Sequence, residues 1–351
     1  MTKNTGYKYL IYSFRYIPHT HENLNFMKKL FFVVAGGFLI ATGCNKSASH
    51  DTDVKEETVT VATERKCASQ DVLEEQLKND PELRRRMNAI EAFTQQVSEN
   101  PTTYRLLANG TIEIPVVVNV LYRTTAENIS AAQIQSQINV LNQDFSATNS
   151  DYNLTSTYNS VKSGNIAIRF VLDQVIRKST TKTSWTTNDA MKKTAQGGLN
   201  PTSPTTKLNL WVCNLSGGIL GYAQFPGGSS STDGVVIDNN AFGNTGTAAA
   251  PFNKGRTATH EVGHWLNLRH IWGDATCGND LVGDTPVHNT ANYGCPAAGH
   301  KSTCSGQPVE MTMNYMDYTD DACMYMFTAG QETRMLAVFA AGGPRNSFAQ
   351  P

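Results

Sequence analysis

The sequence predicts an α+β fold: a mixed, twisted sheet with helices packed on it, followed by an irregular, cross-linked lower part. Three observations predict it. Between residues 111 and 266, apolar runs of strand and helix character follow one another in the order β-α-β-β-β-β-α. Beyond residue 270 that regularity stops, and residues 271–327 hold four of the seven cysteines. At the junction stands His260-Glu261-Val262-Gly263-His264, with His270 six residues further on.

The N-terminus is set aside first. Met27-Lys28-Lys29 is basic, residues 30–42 are mostly apolar but too short to span a membrane, and small residues lead to Cys44. Residues 27–43 therefore read as an export signal. Its ending resembles a bacterial lipoprotein signal, which implies cleavage before Cys44 and lipid on that cysteine; an ordinary signal with an incidental cysteine is the alternative. Residues 1–26 precede a complete signal and read as a mis-assigned start. Residues 44–64 are polar and read as a disordered tether, lipid-anchored at Cys44. The formal charge of −1 gives no footprint for nucleic acid. The product is expected in the cell envelope or outside the cell, touching membrane only through the anchor, where disulfides are allowed.

The elements follow in order. Leu73, Leu77, Leu83, Met87, Ile90 and Phe93 are spaced for an amphipathic helix over residues 69–96, broken at Pro81. Residues 111–122 are β-branched and apolar, a strand. Ser130 caps a helix over residues 130–145, with Ile134, Ile138, Leu141 and Phe145 on one face. Residues 165–173 alternate Ile166, Ile168, Phe170 and Leu172, a strand with one buried face. Residues 175–205 read as loop, and residues 207–213 as a strand. Residues 217–227 read as an edge strand with Gly and Pro at its ends. Residues 234–238 form a last short strand before a helix that starts near Asn253 or Lys254. A final helix is expected over residues 329–341.

The histidine pattern carries the chemistry. Residues four apart share a helix face, so His260 and His264 can point at one metal ion, with Glu261 beside it. Six residues make roughly 600° at 3.6 per turn, so His270 joins them only if the helix ends and the chain turns back. The long form of this motif has glycine at that turn. Here Asn267 stands there, one of the few residues that tolerate positive φ. Three neutral imidazoles suit Zn²⁺ with a fourth position for water, whose proton a carboxylate can take.

This segment, with Trp265-Leu266 and Arg269-His270 around the turn, resembles the pappalysin family of metzincin metallopeptidases. The resemblance implies a zinc endopeptidase acting on proteins or peptides, with two long helices above a cleft, an upper subdomain over residues 106–267 and a lower one over residues 268–351. Asn314-Tyr315-Met316-Asp317-Tyr318 resembles the family's Met-turn, with Met316 below the histidines and Tyr318 helping to hold the oxyanion. Residues 65–105 look like its inhibitory pro-segment, with Cys67 as a thiol switch over the zinc; a stray thiol is the alternative. Cleavage would fall near residues 97–110, with Arg105 one candidate. The four late cysteines allow three pairings; the resemblance implies Cys277–Cys304 and Cys295–Cys323, leaving Cys213 as a buried free thiol. It also implies calcium near Asp280, Asp284 and Thr285, and an aspartate, Asp320 or Asp321, in a pocket for arginine after the scissile bond. The edge strand would bind extended substrate by strand addition. Two rival readings are a non-catalytic metal-binding surface lipoprotein and a zinc hydrolase of non-peptide bonds.

Overall fold

A computed structural model describes residues 62–100 and 110–349. The export signal, Cys44 and Arg105 lie outside the described residues. Two helices come first, α1 (Ser69–Asn79) and α2 (Pro81–Glu99). The break expected at Pro81 is present: Asp80 caps α2 by accepting from Glu82 N, and proline at the first helical position has no N–H to leave unpaired. Leu73 of α1 and Leu83 of α2 pack on Phe225, and Val97 of α2 packs on Ala337 and Ala340. The helical pair thus covers two separate faces of the rest of the chain.

The sheet has five strands: β1 (Ile112–Tyr122), β2 (Ile168–Ser179), β3 (Leu208–Cys213), β4 (Gly221–Ala223) and β5 (Val235–Asp238). Their spatial order is β2-β1-β3-β5-β4, all parallel except β4, which runs antiparallel to β5 at the edge. Central parallel strands are covered on both faces, which is why β1 and β3 read as continuous apolar runs. Helix α3 (Ala131–Phe145) is capped by the Ser130 side chain, as expected, and packs Ile134, Ile138, Leu141 and Phe145 into the sheet. Strand β2 is six residues longer than residues 165–173 suggest at its C-terminal end. This half, Gln174 to Ser179, lies on the other edge of the sheet and has no second covered face, so it carries polar side chains and hides its strand character. Part of the expected loop 175–205 is therefore strand, and short 3₁₀ turns occupy Ala190–Lys192 and Thr194–Gln196.

Helix α4 (Arg256–Trp265) carries the histidine pair. It starts later than Asn253 or Lys254 because Gly255, at φ 76°, precedes it and the Asp321 carboxylate accepts from Lys254 N and Arg256 N. Every residue of α4 is buried, between β4, β5 and α3 on one side and the lower part on the other. Its end is a Schellman turn. Asn267 N donates to His264 O, Leu268 N donates to Gly263 O, and Asn267 itself is left-handed at φ 73°. The chain then reverses, as the spacing to His270 requires.

The lower part is irregular until α5 (Ala329–Ala337), which begins with a capping box between Thr328 and Gln331 and ends four residues short of 341. Both implied disulfides are formed, Cys277–Cys304 and Cys295–Cys323, and Cys213 is a buried free thiol. One apolar core unites the sheet, α3, α4, Met316 and α5.

The left-handed turn gives a test. Asn267→Gly should keep bound zinc and melting temperature near the parent values. Asn267→Val places a β-branched residue at positive φ, which costs about 1–2 kcal/mol or more. It should lower the melting temperature and the zinc content measured by elemental analysis.

Candidate active site

The turn at Asn267 brings three imidazoles together. His264 Nε2 lies 3.2 Å from His260 Nε2 and 3.1 Å from His270 Nε2. Each ring is held by its other nitrogen. His260 Nδ1 meets Tyr315 O at 2.7 Å, His264 Nδ1 meets Leu268 O at 2.8 Å, and His270 Nδ1 meets Asp274 Oδ1 at 2.5 Å. An N–H at each Nδ1 leaves every Nε2 lone pair directed at one point, the tautomer that a metal ligand needs. Burial pushes His260 well below the ordinary imidazole range and His264 down to about 3, so both stay neutral. Trp272 stacks on His270, with rings 4.4 Å apart and 8° from parallel.

Cys67 Sγ completes the group: the four ligand atoms of Cys67, His260, His264 and His270 lie within 4.8 Å of one another. Among the described residues this is the one such cluster. Three nitrogens and one sulfur are the donor types of a tetrahedral zinc site, so the residues present fit zinc. Without a cation, burial first and then Glu261 push the thiol well above its usual range. A bound cation reverses that balance, since a coordinating thiol is deprotonated outright.

Glu261 is buried, and burial pushes its carboxyl up to about 7 against the opposing pull of Ser69 and Cys67. Its Oε2 accepts from Ser69 Oγ at 2.8 Å and from Cys67 Sγ at 3.3 Å. The edge strand lies close above it. A Cβ on Gly221 would come within 2.9 Å of Glu261 Cγ, so only glycine lets β4 approach this far. Below, Met316 is fully buried, and a Cβ on Gly263 would fall 2.5 Å from its sulfur. Met316 O accepts from Ile271 N, which ties the returning chain to this floor. Tyr318 packs beside His270, with rings 4.9 Å apart, and its hydroxyl donates to Cys67 O at 3.1 Å.

Residues 66–68 lie along the free edge of β4. Leu220 N donates to Lys66 O, and Ala68 N donates to Gly221 O. The strand addition expected of substrate is therefore made here by the chain itself. Two residues before Cys67, Arg65 is almost fully buried. Its Nη2 donates to Asp321 Oδ1 at 2.6 Å, its Nη1 to Thr257 Oγ1 at 3.1 Å, and its Nε to Thr319 O at 3.2 Å, while Phe252 packs under the guanidinium at 5.0 Å. Of the two acidic candidates, Asp321 is the buried one facing this arginine, and Asp320 is half-buried with its N–H turned to Gly294 O.

The three calcium candidates separate. Thr285 Oγ1 lies 3.0 and 2.9 Å from the two Asp280 oxygens and 3.0 Å from Val282 O. Asp284, expected with them, is taken elsewhere. Its carboxylate accepts from Thr328 Oγ1 and Gly330 N, satisfying donors at the start of α5.

Arg65, Ser69, Trp272 and Asp274 are site residues that the sequence pattern did not single out. Asp274 stands four residues after His270, but outside any helix that spacing carries no signal. Although burial opposes it, the His270 contact holds Asp274 below the usual carboxylate range.

Residues 203–340 match the family described as pregnancy-associated plasma protein-A. An extracellular metalloprotease of Verticillium alfalfae is 35% identical over 236 residues, which cover 64% of this chain and 77% of that protein. One from Pyricularia oryzae is 34% identical over 251 residues, covering 66% and 79%. Among solved structures, a promirolysin mutant of Tannerella forsythia is 41% identical with a TM-score of 0.73, covering 81% of this chain and 97% of that one. Mature mirolysin of Tannerella forsythia in complex with a cleaved peptide is 45% identical with a TM-score of 0.65, covering 68% and 95%.

Of the three imidazoles, only His270 is held by a carboxylate. Asp274→Asn keeps the shape and removes the charge, and should weaken zinc binding by roughly 10- to 100-fold in a chelator competition. Unchanged affinity would mean that Asp274 serves the loop and not the metal.

Proposed function

The chain belongs to the pappalysin family of metzincin zinc metallopeptidases, and from that premise we propose which of its residues do the work. It is an extracellular-type metalloendopeptidase that acts on peptides and is made as a zymogen with an inhibitory pro-segment. In our reading His260, His264 and His270 hold the zinc. What supports this most is the convergence of their three Nε2 atoms beside the Glu261 carboxylate. Bound there, zinc would acidify a water molecule and polarise the scissile carbonyl. Glu261 takes the proton of the attacking water and passes it to the leaving amine. Tyr318 donates to the substrate oxygen as negative charge develops on it. Its present bond to the Cys67 carbonyl supports that role, since the phenol beside the histidines already donates to a backbone carbonyl.

Residues 65–105 are the pro-segment, and Cys67 is the switch that takes the open zinc position. Arg65 fills the pocket of Asp321 at the same time. The pro-segment occupies that pocket as a substrate side chain would, which supports a preference for arginine after the scissile bond. A planar guanidinium meets three acceptors and a ring there, and a lysine ammonium matches that set poorly. Lipid at Cys44 rests on the sequence of residues 41–44. We assign one calcium ion to Asp280, Thr285 and Val282 O, a reading supported by the three acceptors that lie within 3.0 Å of one hydroxyl. Asp284 drops out of that set.

Four outcomes are expected. Glu261→Gln should keep one zinc per chain and lower kcat by orders of magnitude; equal loss of both would contradict the assigned roles. A peptide library cleaved by the matured enzyme and read by mass spectrometry should show arginine after the cut. Asp321→Asn should lower kcat/KM for such peptides by roughly 10- to 100-fold, the range for a hydrogen bond to a charged group. Removal of calcium should lower the melting temperature of the zinc-loaded protein, and added calcium should restore it; indifference to calcium would remove that site.

A further inference from the structure

Ser69 is fully buried and makes two contacts that a thiol switch alone does not require. Its hydroxyl donates to Glu261 Oε2 at 2.8 Å and accepts from Ala223 N at 2.8 Å. The pairing along β4 explains the second contact. Residues 66–68 satisfy Leu220 N and Gly221 O as an added strand would. Ala223 N is the next edge donor. The chain leaves the extended form at Ala68, φ −102° and ψ 12°, and enters α1 at Ser69, so no backbone carbonyl follows to meet that donor. The serine oxygen takes its place, and its single proton is then free to point at Glu261.

We propose that Ser69 is a second latch of the zymogen. It rests on the reading of Glu261 as the base. The thiol of Cys67 closes the metal position, and the hydroxyl of Ser69 closes the carboxylate and the edge-strand donor. Latency is thus divided between two side chains one helical entry apart. Moving the thiol away leaves Glu261 still engaged at Oε2, where a water proton has to be received. Losing the hydroxyl leaves two buried groups, Ala223 N and the Glu261 carboxylate, without that partner in the precursor. Entry into α1 also takes the backbone after Cys67 out of the extended form, so the hydroxyl stands in where a substrate strand would continue.

The full-length precursor tests this. Initial rates on a short fluorogenic peptide are read before the pro-segment is cut, with its integrity followed on gels. Each rate is divided by that of the same protein after maturation, which removes residue 69. Cys67→Ala alone should leave the precursor at least about 10-fold below its matured form. Adding Ser69→Ala should close most of that gap, by roughly 10-fold or more, the factor for a hydrogen bond to a buried charge. Ser69→Thr, which keeps the hydroxyl, should retain latency. Equal kcat/KM among the matured proteins reports correct folding. If the alanine variant yields no folded precursor, Ser69→Gly is read in the same way. The latch is overturned if Cys67→Ala already matches its matured form, if removing the hydroxyl changes nothing, or if threonine is as open as alanine. A matured Glu261→Gln protein with full turnover would instead sink the reading of the base, whatever the precursor ratios are.

Discussion

At Asn267 the backbone turns left-handed just after α4 ends, and the third imidazole reaches the other two only because it does. A helix continued to residue 270 would carry that ring away from the pair. The turn is braced from several sides. Its helix end is closed by Asn267 N on His264 O and Leu268 N on Gly263 O. Arg334 of α5 donates to Asn267 O, and Ile271 N donates to Met316 O. Tyr315, next to Met316, supplies the carbonyl that orients His260. The turn at Tyr315-Met316 therefore positions a ring of the helix pair and the chain that brings the third imidazole. Met316 fits tightly against Gly263, where a Cβ would fall 2.5 Å from the sulfur.

The pro-segment engages the cleft as a stretched ligand would, and then stops doing so. Arg65 buries its charge against Asp321, Lys66 and Ala68 pair with the strand edge, and Cys67 faces the imidazoles. A buried arginine–aspartate pair needs further partners for its donors, and Thr257 and Thr319 each accept one bond here. Beyond Ala68 the chain coils into α1, and α2 reaches across to α5, where Glu91 pairs with Arg334. Arg334 is the same side chain that holds Asn267 O. The α2 helix and the turn at Asn267 are thus joined through one guanidinium.

Much of the upper part could be read from residue order. The apolar run of β1, the Ser130 cap, the break at Pro81 and the need for a turn at Asn267 all follow from local chemistry. The missed features are non-local. The second half of β2 is polar because it borders solvent at a sheet edge. The start of α4 is delayed by Asp321, a residue 65 positions away from Arg256. Asp321 differs from Asp320 by its contact with Arg65, 256 positions distant. Asp284 stands near Asp280 in sequence, but its carboxylate accepts from Thr328 Oγ1 and Gly330 N at the start of α5, 44 and 46 positions away. Ser69 carries no signature in sequence, because its meaning comes entirely from the strand edge and the carboxylate it meets.

The most direct measurement is zinc-edge X-ray absorption on the precursor and on the matured protein. The account predicts three nitrogen neighbours at about 2.0–2.1 Å and one sulfur at about 2.3 Å in the precursor. The sulfur should vanish on maturation while the nitrogen shell persists. A precursor zinc surrounded only by light atoms, or one lacking a third imidazole, would contradict it.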